Sequence, residues 1–109
     1  MPSRPIVKGS VLIVARCATG ELQYLWRDGW IDENARIAYH TTTYGGWRAT
    51  DIDTGIALTA VCESREEAQT MVKRRREKIA AFRTGEITVG GLPYTKYREM
   101  HRDMEGSKR

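Results

Sequence analysis

The first apolar run of the chain, Val11-Leu12-Ile13-Val14-Ala15, has no polar side, so residues 10–16 predict a strand buried on both faces and central in its sheet. Ala18-Thr19-Gly20 predicts a turn. Beyond it Leu22, Tyr24 and Trp26 alternate with Glu21, Gln23 and Arg27, the period-two pattern of a half-exposed partner strand that completes a first hairpin. Residues 28–34 predict a polar loop around Gly29 and Trp30. Residues 36–43 predict a weaker linking strand, with Ile37 and Tyr39 on one face and Ala38 and His40 on the other. Residues 47–53 and 56–62 are both strand-like, and Asp53-Thr54-Gly55 between them supplies a glycine for the positive φ of a tight turn. A second hairpin is expected there.

The period then changes from two to 3.6. Ser64-Arg65-Glu66-Glu67 is a capping box, in which the serine hydroxyl and the glutamate carboxylate each serve an orphan amide of a helix start. The helix is predicted over about residues 65–82, ending at Thr84 and Gly85. Ala68, Met71, Val72, Ile79 and Phe82 form its apolar stripe, with Arg75 inside that stripe. Residues 86–89 predict a short edge strand before Gly90-Gly91. From Pro93, suited to a first helical turn, Tyr97, Met100, His101 and Met104 recur at the spacing of a short C-terminal helix. The expected fold class is α+β, an antiparallel sheet of two β-hairpins plus a linking strand, covered on one face by the long helix.

Length limits this picture to one domain, since 109 residues support one modest core, with fraying expected at about residues 1–5 and 105–109. No apolar run approaches the roughly 20 residues of a membrane span, and Arg16 ends the first run before a signal-peptide core forms, so a cytoplasmic protein without membrane contact is expected. Cys17 and Cys62 lie far apart with no CxxC, which predicts reduced, structural thiols.

Charge changes the picture most. The net charge of +4 is unevenly placed: residues 1–62 carry six basic and six acidic side chains, and residues 63–109 carry 12 basic against eight acidic. The run Lys73-Arg74-Arg75-Arg76-Glu77-Lys78 holds the densest part of the surplus and predicts contact with phosphates or an acidic surface, against the plain alternative of a solvated helix face. Arg75 must snorkel from its stripe or find a carboxylate. Trp30 and Tyr44, beside glycines in expected loops, are candidate partner-binding residues.

Catalytic signals are weak. Asp51 and Asp53 share one side of a strand, as a divalent metal site would require, but Asp53 fits the turn and no third ligand is placed. The chain has no H-E-x-x-H, G-x-S-x-G, G-x-G-x-x-G or P-loop motif. A non-enzymatic protein is expected, with no cofactor, metal or small-molecule substrate.

The segment from Gly46-Trp47 through the Asp53-Thr54-Gly55 turn, Ser64 and Glu67-Ala68 to Ile79, about a third of the chain, resembles the strand-strand-helix half of AP2-type and integrase amino-terminal DNA-binding domains. That resemblance implies a sheet reading DNA through Trp47, Arg48 and Arg36, although residues 56–62 contain no basic side chain. In type, though not in motif, the chain is also similar to small accessory proteins of phages and mobile elements, including anti-CRISPR and other anti-defence inhibitors. Two functions are therefore expected in competition. One is a binder of a protein or nucleoprotein target, acting as inhibitor or adaptor. The other is a DNA-binding accessory module, with DNA or RNA held by Arg36, Arg48, Lys73, Arg74, Arg76 and Lys78.

Overall fold

The period-two segments on either side of Gly20 pair over their whole length. In the computed structural model, which describes residues 6–16 and 18–107, β1 (Val7–Arg16) and β2 (Leu22–Asp32) run antiparallel from Val7 opposite Ile31 to Arg16 opposite Leu22. β3 (Ile37–Thr41) and β4 (Trp47–Asp51) complete an antiparallel meander in the order β1-β2-β3-β4. Three helices follow: α1 (Arg65–Arg74), α2 (Arg76–Thr84) and α3 (Tyr94–Ser107). The fold is α+β. Cys17 and the chain ends expected to fray, apart from residues 105–107, lie outside the described residues, while α3 continues through Ser107.

Cross-strand partners share a face, so the register sorts the side chains. Leu22, Trp30, Ile37, Tyr39, Trp47 and Ala49 fall on one face and join Ala68, Ile79, Phe82, Tyr94 and Tyr97 of the helices in the main core. Val11, Ile31 and Ala38 fall on the other and form a smaller cluster with Ile13 and Ile52, to which no helix contributes. Helices α1 and α2 thus cover one face of the sheet, as periodicity predicted.

Five predicted elements differ from those observed. Strand β1 lies at the edge of the sheet, not at its centre. Its apolar run is explained by cover on the outer edge: Val14 N–H donates to Gly55 O at 2.9 Å, and the His101 ring lies 2.8 Å from Leu12 O through Nε2. Burial of both faces therefore did not require a neighbour strand on both sides. Residues 28–32 continue β2 instead of looping, which puts Trp30 on a strand.

The second hairpin is half formed. Residues 56–58 pair with β4 (Asp51 N to Ile56 O 2.9 Å, Leu58 N to Ala49 O 2.8 Å), and Cys62 exchanges two 2.7 Å bonds with Trp47. Between these points three residues, 59–61, oppose the single Arg48, so the return segment bulges, and the Thr59 hydroxyl replaces a ladder carbonyl by accepting from Ala49 N at 3.2 Å. Residues 86–89 are not a strand either; Val89 only bridges Leu92 across the Gly90-Gly91 turn.

The long helix is broken at Arg75, whose φ of −102° and ψ of 11° separate α1 from α2. An unbroken helix would press the guanidinium into the core stripe, where an unpaired cation costs several kcal/mol. The break leaves Arg75 exposed while Ala68, Ile79 and Phe82 stay buried, and bonds from Arg75 N to Met71 O and from Ile79 N to Arg75 O keep the ladder continuous. Both predicted ends hold. Ser64 Oγ accepts from Glu67 N at 3.1 Å, Glu67 Oε2 accepts from Glu63 N at 3.2 Å, and Gly85 terminates α2 in the left-handed region at φ 87°.

Candidate functional site

On the helix-covered face, one end of the sheet is left open as a cleft of about 470 Å³. Its side chains come in cross-strand pairs: Lys8 opposite Trp30, Ser10 opposite Asp28, and Thr41 opposite Trp47. Trp30 is clasped by two cations, with Lys8 Nζ 5.5 Å and Arg65 Cζ 4.7 Å from its ring. Arg65 stands in the first turn of α1, at the positive end of the helix dipole, where a cation is disfavoured; its place over the indole face offsets that cost. Ser10 Oγ donates to Asp28 Oδ1 at 2.9 Å and fixes the carboxylate at the rim. Two half-buried indoles, two cations and one carboxylate suit a planar or apolar group with a polar edge.

The turn that joins Thr41 to Trp47 carries Tyr44, which is 99% exposed. Thr42 N donates to Gly46 O at 3.1 Å, Gly45 N donates to Thr42 O at 3.0 Å, and Arg27 Nη2 donates to the Thr43 hydroxyl at 2.5 Å. Both ends of this turn line the cleft, so Trp30 and Tyr44, chosen independently from sequence, belong to one surface.

Arg75 does not join them. It lies at the α1–α2 junction with Lys73, Arg74, Arg76 and Lys78, all five exposed and without an ion pair among the described residues. Lys73 and Glu77, four residues apart across the α1–α2 junction, do not form an ion pair. Arg75 and Lys78 border a small apolar groove floored by Leu58, Ile79 and Phe82, and Ile87 and Val89 stand exposed beside it.

Arg36 and Arg48, grouped by sequence with this ridge, sit elsewhere and differ from each other. Arg36 is a structural clasp: Nη2 reaches Asp53 Oδ1 at 2.8 Å, Nε reaches Asp53 Oδ2 at 3.3 Å, and Nη1 reaches Glu33 at 2.9 Å. The hydrogen bond with Asp53 raises the Arg36 pKa, and the same bond lowers that of Asp53. Arg48 lies on the face opposite Trp47.

Asp51 and Asp53 do not share a site. Asp51 is fully buried and accepts from Arg83 Nε at 2.9 Å and Nη2 at 2.6 Å, from Tyr94 OH at 3.0 Å, and from Thr54 N and Oγ1 at 3.0 and 2.8 Å. Every lone pair of that carboxylate is engaged, and burial followed by the Asp51 charge pushes the Tyr94 phenol pKa well up. Among the described residues no group of three or more His, Cys, Asp or Glu side chains is placed to hold a metal. No described helix is long and apolar enough to cross a membrane.

Sequence reading missed Lys8, Arg65, Arg27 and Arg83. Lys8 and Arg65 had no local signal, because each owes its role to a ring that pairing brings close; Arg83 looked like an ordinary cation in the last turn of a helix. Comparison with family models, with curated proteins and with solved structures found no match.

Proposed function

We propose that this chain is a non-enzymatic binding protein that docks on a larger protein or nucleoprotein target and inhibits or adapts it. Small accessory factors of phages and mobile elements, anti-CRISPR and other anti-defence inhibitors among them, work in this way. Tyr44 carries the reading: a 99% exposed aromatic at the lip of a cleft walled by Trp30 and Trp47 contributes nothing to folding and has the character of an interface anchor. A shape-complementary docking surface needs no catalytic constellation.

The second reading, a nucleic-acid-binding module, is favoured by the five unpaired cations between Lys73 and Lys78. It would act through this helical ridge and not through the sheet, because Arg36 is held by two carboxylates while Trp47 and Arg48 face opposite ways. The two readings differ in salt response, since phosphate contacts weaken steeply as salt rises.

The test is retention of partners from a bacterial lysate on immobilised protein, with and without nuclease, at low and high salt. A defined protein or ribonucleoprotein that survives high salt and nuclease, and is lost from Tyr44→Ala, is the expected result. Recovery of nucleic acid alone, lost at high salt and on changing Lys73, Arg74, Arg76 and Lys78 to Gln, would replace it with the second reading.

A further inference from the structure

Residues 56–58, helix α2 and residues 87–89 enclose a groove of about 100 Å³, room for one aliphatic side chain. Leu58, Ile79 and Phe82 are buried on its floor, while Ile87 and Val89 stand exposed along its wall. Two large aliphatic side chains left in water at the lip of an apolar groove mark a contact surface. The wall is held in place: Val89 and Leu92 exchange two hydrogen bonds of 3.1 Å, and Tyr97 OH donates to Val89 O at 2.6 Å. The groove is therefore formed before anything enters it.

Its other two sides carry unanswered polar groups. Arg75 and Lys78 line the rim, both are exposed, and neither forms an ion pair among the described residues. Among the described residues no acidic side chain lines the groove. On the strand side, the bonds from Asp51 N to Ile56 O and from Leu58 N to Ala49 O flank the Thr50–Ala57 pair, so the Ala57 N–H and C=O point away from β4. Ala57 is exposed, and among the described residues neither group has a hydrogen-bond partner. This is an open strand edge.

We propose that the groove binds an extended acidic segment of a partner protein. The segment adds a short strand at Ala57, seats one Val, Ile or Leu side chain on Leu58, Ile79 and Phe82, and brings neighbouring carboxylates to Arg75 and Lys78. Charge and shape favour a polypeptide over a nucleic acid. Phosphates would meet the same cations, but Phe82, the one aromatic in the lining, is buried and offers no face on which a base could stack, and the apolar floor calls for an aliphatic side chain. The groove shares no residue with the surface of Trp30 and Tyr44, so either can fail without the other.

Selection of a random-hexapeptide phage library on the immobilised full chain tests this. Enriched sequences should carry one aliphatic residue with Asp or Glu around it. A synthetic peptide of that consensus, titrated into the protein and followed by NMR, should move the Ala57, Ile87 and Val89 amide signals saturably. Arg75→Glu with Lys78→Glu replaces attraction by repulsion and should weaken binding by about tenfold or more. Lys96→Glu with Arg102→Glu, an equal charge change on α3, should not. All four positions are exposed, so the variants keep the fold. Enrichment of no sequence family, or of one without acidic residues, overturns the proposal. So does a consensus peptide that leaves the Ala57 amide unmoved or whose binding survives Arg75→Glu with Lys78→Glu. An oligothymidylate that displaces the peptide and binds more tightly would assign the groove to nucleic acid instead.

Discussion

The two faces of this sheet treat arginine in opposite ways. On the helix-covered face the Arg83 fork closes on the buried Asp51, whose other lone pairs take Tyr94 and Thr54, so that five hydrogen bonds converge on one carboxylate. On the far face Arg27 and Arg48 carry buried donors with no acceptor. Both arrangements come from the same charge inventory. Residues 1–62 are neutral in sum, but Asp53 and Glu33 are both taken by Arg36, and Asp51 is taken by an arginine from the other half of the chain. A balanced count of charges along the chain therefore hides an unequal distribution of partners between the two faces.

The largest effect expected from this contrast is at Asp51. Asp51→Ala strips a buried charge pair of its anion and should cost about 3–5 kcal/mol in chemical denaturation, and Arg83→Met should cost nearly as much alone. The double variant should recover part of the loss, because neither charge is then stranded. If the single and double losses simply add, the pair is not coupled and the contrast fails.

Gly55 tests the seam between the turn after β4 and the edge of β1. Its φ is 75°, and a Cβ there would meet Leu12 O at 2.7 Å, so Gly55→Ala should lower stability by about 1–3 kcal/mol. A urea midpoint unchanged from the parent would show that β1 is not held by this contact.

Arg48→Met sharpens the contrast by its sign. It removes an unpaired buried donor and should leave stability within about 1 kcal/mol of the parent or raise it, unlike Arg83→Met. A loss as large as that at Arg83 would mean that Arg48 is already satisfied.

Smaller still is the pH response. Burial, and after it the charges of Arg27 and Arg48, hold the folded pKa of His40 below its ordinary value of 6.5, so the unfolded chain binds the extra proton first. The His40 contribution is complete above about pH 6.5 and is lost as pH falls from there toward the folded value. Arg48→Gln, which removes one of the two repelling charges, should flatten that fall in denaturation curves recorded between pH 7 and 5. At the bottom of the scale, Tyr44→Ala should change stability by less than about 0.5 kcal/mol while abolishing partner retention. A Tyr44 variant that unfolds more easily would assign the ring to the fold instead.

Local signals were legible where the physics is local. The Ser64 cap, the Gly85 stop, the positive φ of Gly55 and the α3 face of Tyr97 and His101 depend on residues within a few positions of one another, and each lies where the pattern put it. What failed depended on partners distant in sequence. β1 looked central because burial on two faces does not report the edge. Trp30 looked like a loop residue because Asp28 and Gly29 are poor strand formers, yet Ser10 answers Asp28, and Gly29 is required where β2 runs close to β3: a Cβ there would lie 2.6 Å from Tyr39 O. Arg75 fell within the apolar stripe, with snorkelling as its way out, because the stripe was drawn on an unbroken helix.

The sequence by itself determined the α+β class, the ends of the helices, the face that α1 and α2 bury and the candidacy of Trp30 and Tyr44, because periodicity, caps and turns are short-range properties of the chain. Tertiary structure alone decided which charges are answered. It joined Asp51 to Arg83 across 32 positions, drew Lys8 and Arg65 onto Trp30, and left the buried Nε atoms of Arg27 and Arg48 without an acceptor. Pairing between charged groups is set by distance in space and by exclusion of water, and neither is written in the spacing of residues along a chain.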